Sequence, residues 1–106
     1  MSELKLRRTV IGGQRLDDDF IVLHDGRSVG RIRRAAERIG HNPGWDWTVT
    51  IPLPVPAWTH GSSDSFDEAK AAFKAALESF LEGLTEADMA HWHHIADARS
   101  RQKISR

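Results

Sequence analysis

Three histidines fall within one short stretch near the C-terminus: His91, His93 and His94. Imidazole is the commonest zinc ligand and the side chain that titrates closest to neutrality. On a helix, His91 and His94 share a face. They supply two ligands where a zinc centre takes three or four, and the chain has no cysteine to complete the set. A third ligand, His60 or Asp97, has to be brought in by folding. The simpler reading is a solvated helix flank. The same cluster gains charge between about pH 5 and 7, so a pH-sensitive stability belongs to this stretch as a side expectation.

Other arrangements carry less chemistry. His41 and Asp46 flank one turn and are close enough in sequence to meet. Asp17, Asp18 and Asp19 form an acidic run without the glycine and distal glutamate of a calcium loop, which reads as a solvated turn. There is no triad order of Ser, His and Asp, no glycine loop to cradle phosphate and no H-E-x-x-H. No catalytic residue, cofactor or metal site is expected, and the chain reads as a non-enzyme. The basic residues Arg27, Arg31, Arg33, Arg34 and Arg38 cluster in sequence, and Lys5, Arg7 and Arg8 could join them in a patch. Such a patch on a sheet would meet phosphates or guanines in a DNA groove. Asp46 on the same polar face and the nearby acidic run oppose it, and charges that guard a sheet edge are the competing reading.

The element that must position these groups is the stretch Ser65–Leu84. Phe66, Ala69, Phe73, Ala76, Leu77, Phe80, Leu81 and Leu84 lie on one side of a 3.6-residue wheel, with Lys70, Lys74, Glu78 and Glu82 on the other. Ser65 and Glu68 make a capping box, and Gly83 stands where a left-handed C-terminal residue belongs. The spacing predicts a helix over 66–82. Its apolar face needs a partner, and Trp45 to Ile51 provides it: Trp45, Trp47, Val49 and Ile51 alternate with Asp46, Thr48 and Thr50.

Upstream, Phe20–Leu23, Asp25-Gly26 and Ser28–Arg33 read as a hairpin whose register stays open between loops of two, three and four residues. Gly30 within that strand marks a bulge or a close neighbour. Residues 1–16 are a first strand or a loose basic arm, ended by Gly12-Gly13. Residues 34–44 are a connection with one helical turn at Ala35, Ala36 and Ile39. The alternating prolines Pro52, Pro54 and Pro56 exclude an inner strand, so PLPVP is an edge or a connector leading through Trp58 and Gly61 to the helix. Beyond Gly83, Thr85–Asp88 caps a second helix to about residue 99, with a narrow face of Met89, Trp92 and Ala96.

Composition frames this. The chain has 106 residues with 15 basic and 15 acidic side chains, so bulk charge points to neither nucleic acid nor membrane. Lack of cysteine fits a reducing compartment. No apolar run is long enough for a signal peptide or a bilayer span, and a cytoplasmic protein is the default expectation.

Asp25-Gly26, Val29-Gly30-Arg31-Ile32, Trp45-Asp46-Trp47, Gly61, Glu68-Ala69 and Ala71-Ala72-Phe73, in that order, resemble a pattern found in a group of small uncharacterised bacterial proteins. The resemblance covers about residues 19–81 and implies architecture without an activity. PLPVP and the added C-terminal helix depart from it. Val49-Thr50-Ile51-Pro52, Thr59-His60-Gly61 and Ser65–Ala69 are also similar to HicB-like antitoxins over residues 45–84. The insert between Arg33 and Trp45 departs from that group's compact sheet.

The expected fold is α+β: an antiparallel sheet of three strands, four if residues 4–11 join, packed on one amphipathic helix, with a second C-terminal helix. Residues 1–16 form the arm or first strand, 17–84 the core, and 85–106 the helix and basic tail. The expected role is a binding domain for a protein partner or a second copy, through an edge strand, the proline segment or the second helix. Trp58, Met89 and Trp92 are the partner-binding candidates, with dimerisation through Met89 and Trp92 as the specific version. The alternative is a nucleic-acid-associated regulator, antitoxin-like or a sheet-type DNA binder, using Arg27, Arg31, Arg33, Arg34 and Arg38.

Overall fold

The computed structural model describes residues 4–34 and 44–104. They form an α+β fold with a five-stranded antiparallel sheet in the order β1-β2-β3-β4-β5. The strands are β1 (Leu4–Ile11), β2 (Gln14–His24), β3 (Arg27–Arg34), β4 (Trp45–Val49) and β5 (His60–Ser63). Two helices follow, α1 (Phe66–Glu82) and α2 (Glu86–Ile104). Arg38, His41, and the helical turn expected at Ala35, Ala36 and Ile39 lie outside the described residues.

Two tight turns build the first three strands. Gly12 and Gly13 both have positive φ, 59° and 80°, and return β1 directly into β2. Residues 4–11 are therefore a strand, and β2 starts early enough to include Asp17–Asp19. The solvated turn expected there is corrected: the acidic run lies within the sheet, where Asp19 meets Arg31 across the strands. Asp25 and Gly26, with φ of 50° and 77°, close a two-residue loop with His24 opposite Arg27. The register then shifts, because Val22 faces Gly30 while Leu23 faces Ser28, leaving Val29 as the extra residue of a bulge.

The sheet has more strands than the sequence predicts. The fifth, β5, comes from His60–Ser63, which reads as loop because Gly and Ser have little strand preference. It pairs with β4, and the Trp47 ring covers Gly61, where a Cβ would stand 2.8 Å from it. The proline segment connects β4 to a single 3₁₀ turn, Ala57–Thr59, in which buried Thr59 donates its hydroxyl to the Pro56 carbonyl at 2.6 Å.

One sheet face carries the core. Val22, Ile32 and Val49, with Val29 of the bulge, pack against Ala69, Phe73, Leu77 and Phe80 of α1, all buried. Trp45 lies 4.8 Å from Phe66, and Phe20 stacks on the same ring at 5.1 Å. The tryptophan strand and the phenylalanine helix thus cover each other as the periodicities require. Each large buried side chain contributes roughly 1.5–3 kcal/mol before ordering costs.

Ser65 caps α1 by accepting from the Glu68 amide at 3.1 Å. Its far end departs from expectation: Gly83 is right-handed, φ −83°, and its amide reaches the Phe80 carbonyl at 3.2 Å. With α2 starting three residues later, the chain passes through a tightened last turn and needs no left-handed reversal. Thr85 and Asp88 complete a reciprocal capping box at α2, with bonds of 3.0 and 3.1 Å.

Gly30 is where the two layers meet most closely. A Cβ there would run into the Phe73 ring and stand 2.6 Å from the Thr48 carbonyl oxygen. We expect Gly30→Ala to cost about 1–3 kcal/mol by overpacking. Addition of Phe73→Leu should recover part of this loss in a double-mutant cycle read by urea unfolding.

Candidate functional site

The face of the sheet opposite α1 is polar. Arg31 binds Asp19 through two donors, Nε to Oδ1 at 2.8 Å and Nη2 to Oδ2, while the Thr9 hydroxyl donates to Oδ1 at 2.9 Å. Asp19 is buried, at 7% exposure. The Arg31 guanidinium holds its carboxyl below the usual carboxylate range, against the opposing effect of burial. Arg33 stands opposite Asp46 in register, and Asp46 accepts from Ser62 Oγ at 2.6 Å. Arg31, Arg33, Asp46 and Ser62, with Thr48 and His60, line a shallow hollow across β3, β4 and β5.

Among the described residues, the arginines of the sequence cluster face different ways. Arg31 and Arg33 share the open face. Arg34 extends from the other face to Asp18 at 3.6 Å. The bulge rotates Arg27 out of phase with Arg31, and Arg27 grips Asp97 of α2 with two bonds of 3.1 Å. Arg27, Arg31 and Arg34 each pair with a carboxylate of the chain itself.

The histidines also separate. His91 and His94 are exposed on α2, while His93 is half-buried with its ring 4.6 Å from that of Trp92. His60 belongs to β5 and Asp97 to the Arg27 pair. Among the described residues, no three His, Asp or Glu side chains come together to hold a metal ion.

The apolar partner candidates divide sharply. Trp58 is 51% exposed, with one edge against Phe80 at a centroid distance of 6.5 Å, so it both plugs the core and faces solvent. Trp92 is only 1% exposed, and half-buried Met89 packs beside the same core. The face expected to dock a partner is thus occupied within the chain. A small apolar face cannot hold a helix alone, and the sheet–helix core supplies what it needs.

Two surfaces lie outside the partner-binding residues singled out from sequence, although an edge strand is expected among the binding elements. The first is the outer edge of β1, with Leu6 at 40% and Val10 at 59% exposure; the alternation of Leu4, Leu6 and Val10 is its signal. The second is a cleft of about 500 Å³ between the β2–β3 turn and the later part of α2, with Arg7, Arg27 and Arg99 among its lining residues. No local pattern foretells it, because its residues come from distant elements. No protein-family model matches the chain, and comparison with curated proteins and with solved structures returns no match. Among the described residues, no helix is long and apolar enough to cross a membrane.

Two outcomes follow from these contacts. Asp19→Asn should lower stability at pH 7 by about 1–3 kcal/mol, at the modest end because Arg31 is partly exposed. Asp19 titrates lower folded than unfolded, so its contribution is complete above the ordinary carboxylate range and fades as pH falls below about 4. The difference between wild type and variant should narrow there in urea unfolding at stepped pH. Trp92→Ala should cost about 3–5 kcal/mol. Trp92→Phe should cost clearly less, because it keeps a ring and removes a buried indole N–H that has no partner among the described residues.

Proposed function

We propose that this chain is a non-enzymatic binding domain that takes up an extended, acidic segment of a partner protein alongside β1. The observation that carries the reading is the character of that strand. It is eight residues long and forms one border of the sheet, so an incoming strand can use its outer amides and carbonyls. Lys5, Arg7 and Arg8 are exposed along it, and it contains no acidic residue. Leu6 and Val10 add exposed apolar area beside the cations.

Charge selects the partner. Two copies of β1 paired antiparallel would bring these cations close to one another, which disfavours self-association by this edge. A segment alternating acidic and apolar residues meets the cations and the apolar residues together. Nucleic-acid binding is the competing class. It needs guanidiniums presented on one face, whereas Arg27, Arg31 and Arg34 are directed to Asp97, Asp19 and Asp18.

The test uses three probes: a short peptide alternating Glu and Val, its Lys–Val counterpart and a short DNA duplex. The Glu–Val peptide should bind, with amide shifts concentrated on β1. Leu6→Glu combined with Val10→Glu should abolish binding while leaving the thermal midpoint nearly unchanged, since both side chains are exposed. Equal binding of the two peptides, shifts centred elsewhere, or DNA binding with a steep salt slope would overturn the reading.

A further inference from the structure

The connection from β4 to β5 turns apolar side chains outward. Val55 is 43% and Trp58 51% exposed, and Pro54, Pro56 and Ala57 beside them are exposed as well. No Asp, Glu, Lys or Arg occurs between Asp46 and Asp64. The patch is also held rigid. Pro54 and Pro56 fix their own φ, and each keeps the residue before it extended. Pro56, with φ −69° and ψ 163°, has polyproline geometry. Leu53 packs against the core at one end. At the other, buried Thr59 donates its amide to the Pro56 carbonyl at 3.1 Å and its hydroxyl at 2.6 Å. The Trp58 ring meets Phe80 edge-on. Little conformational freedom remains to be lost when this surface is covered.

The composition of the patch indicates what covers it. Extended prolines are recognised by aromatic rings that pack against them. Here the prolines and an exposed indole belong to one segment, Pro56 and Trp58 standing two residues apart. A second copy turned about a two-fold axis brings each Trp58 to the other's prolines, so the patch is complementary to itself. It has no charge of its own to oppose the contact, whereas two β1 strands would set Lys5, Arg7 and Arg8 against their own copies. β1 forms the opposite border of the sheet and stays free.

We infer that two copies of this chain associate through Pro54–Trp58, with Trp58 of each copy against Pro54 and Pro56 of the other and Val55 close to the two-fold axis. Five residues a side, against the about 20–30 of a standard interface, make a weak and reversible dimer, with a dissociation constant on the order of 0.1 mM.

Sedimentation equilibrium of the whole chain from about 10 μM to 1 mM, a range that brackets this constant, tests the contact. The average mass should rise from one chain toward two. Over the same range the indole N–H resonance of Trp58 should move, while that of buried Trp92 holds still. Val55→Asp and Val55→Lys should each weaken association at least about tenfold, because like charges meet near the axis, and an equal mixture of the two variants should regain it. Val55 is exposed, so an unchanged unfolding curve will verify that each variant folds. The Leu6→Glu, Val10→Glu pair should associate as the wild type does, which separates this contact from the strand-binding reading. The mass of a single chain throughout, association that survives Val55→Asp, a mixture that stays monomeric, or loss of association in the Leu6→Glu, Val10→Glu pair would each overturn the inference.

Discussion

The Phe73 ring lies against the backbone of Gly30, in the middle strand of the sheet, where any other residue would place a Cβ in its way. This contact fixes how closely α1 approaches the sheet and over which strands it lies. The helix sits on β4, β5 and the 3₁₀ turn, with Phe66 held beside Trp45 at one end and Phe80 beside Trp58 at the other. Seated there, it covers one half of the sheet more than the other. Phe20 is only half-buried, and Leu6 stays exposed although it shares the face with Val22. The open character of the β1 border is thus a consequence of where one ring finds room.

The second helix is attached by a few strong contacts in place of a broad apolar stripe. Trp92 is buried in the common core, Asp97 receives both bonds from Arg27, and the Thr85–Asp88 box closes the first turn. An amphipathic helix spreads its attachment over many small burials. Here the attachment is concentrated, and among the described residues Trp92 is the one fully buried side chain of α2. The same docking brings Arg99 beside the β2–β3 turn, so the cleft exists only because α2 is held against the sheet.

Much of this architecture is legible in local sequence. The period of α1, its Ser65 cap, the Asp25-Gly26 loop and the alternation of Trp45, Trp47 and Val49 each state their own conformation, and tertiary packing agrees with them. The misses share a cause: a partner distant in sequence decides them. The acidic run of β2 becomes strand because Arg31 compensates Asp19 across the sheet. His60–Ser63 becomes strand because Trp47 and Asp46 give Gly61 and Ser62 something to pair with. Gly83 turns right-handed because α2 begins so soon. For the candidate site, alternation correctly groups Arg31 with Arg33. The bulge at Val29 then breaks the parity that would have added Arg27, and a one-residue shift reverses the facing of every residue before it.

The zero net charge conceals a segregation that the fold makes spatial. Residues 4–34 contain eight Lys and Arg against four Asp, whereas residues 60–90 contain two Lys against seven Asp and Glu. The first stretch builds β1 to β3; the second builds the two helix starts, where acidic side chains complement the helix dipoles. Helix stability thus accounts for part of the acid, and the sheet keeps the surplus base. Asp19 and Asp18 of β2 are met by Arg31 and Arg34, and among the described residues Lys5, Arg7 and Arg8 of β1 stay exposed. These are the cations that the proposed acidic partner segment would meet. On β1 the cations are water-exposed and act over roughly a Debye length, about 10 Å at 0.1 M salt, which suits capture of a flexible segment.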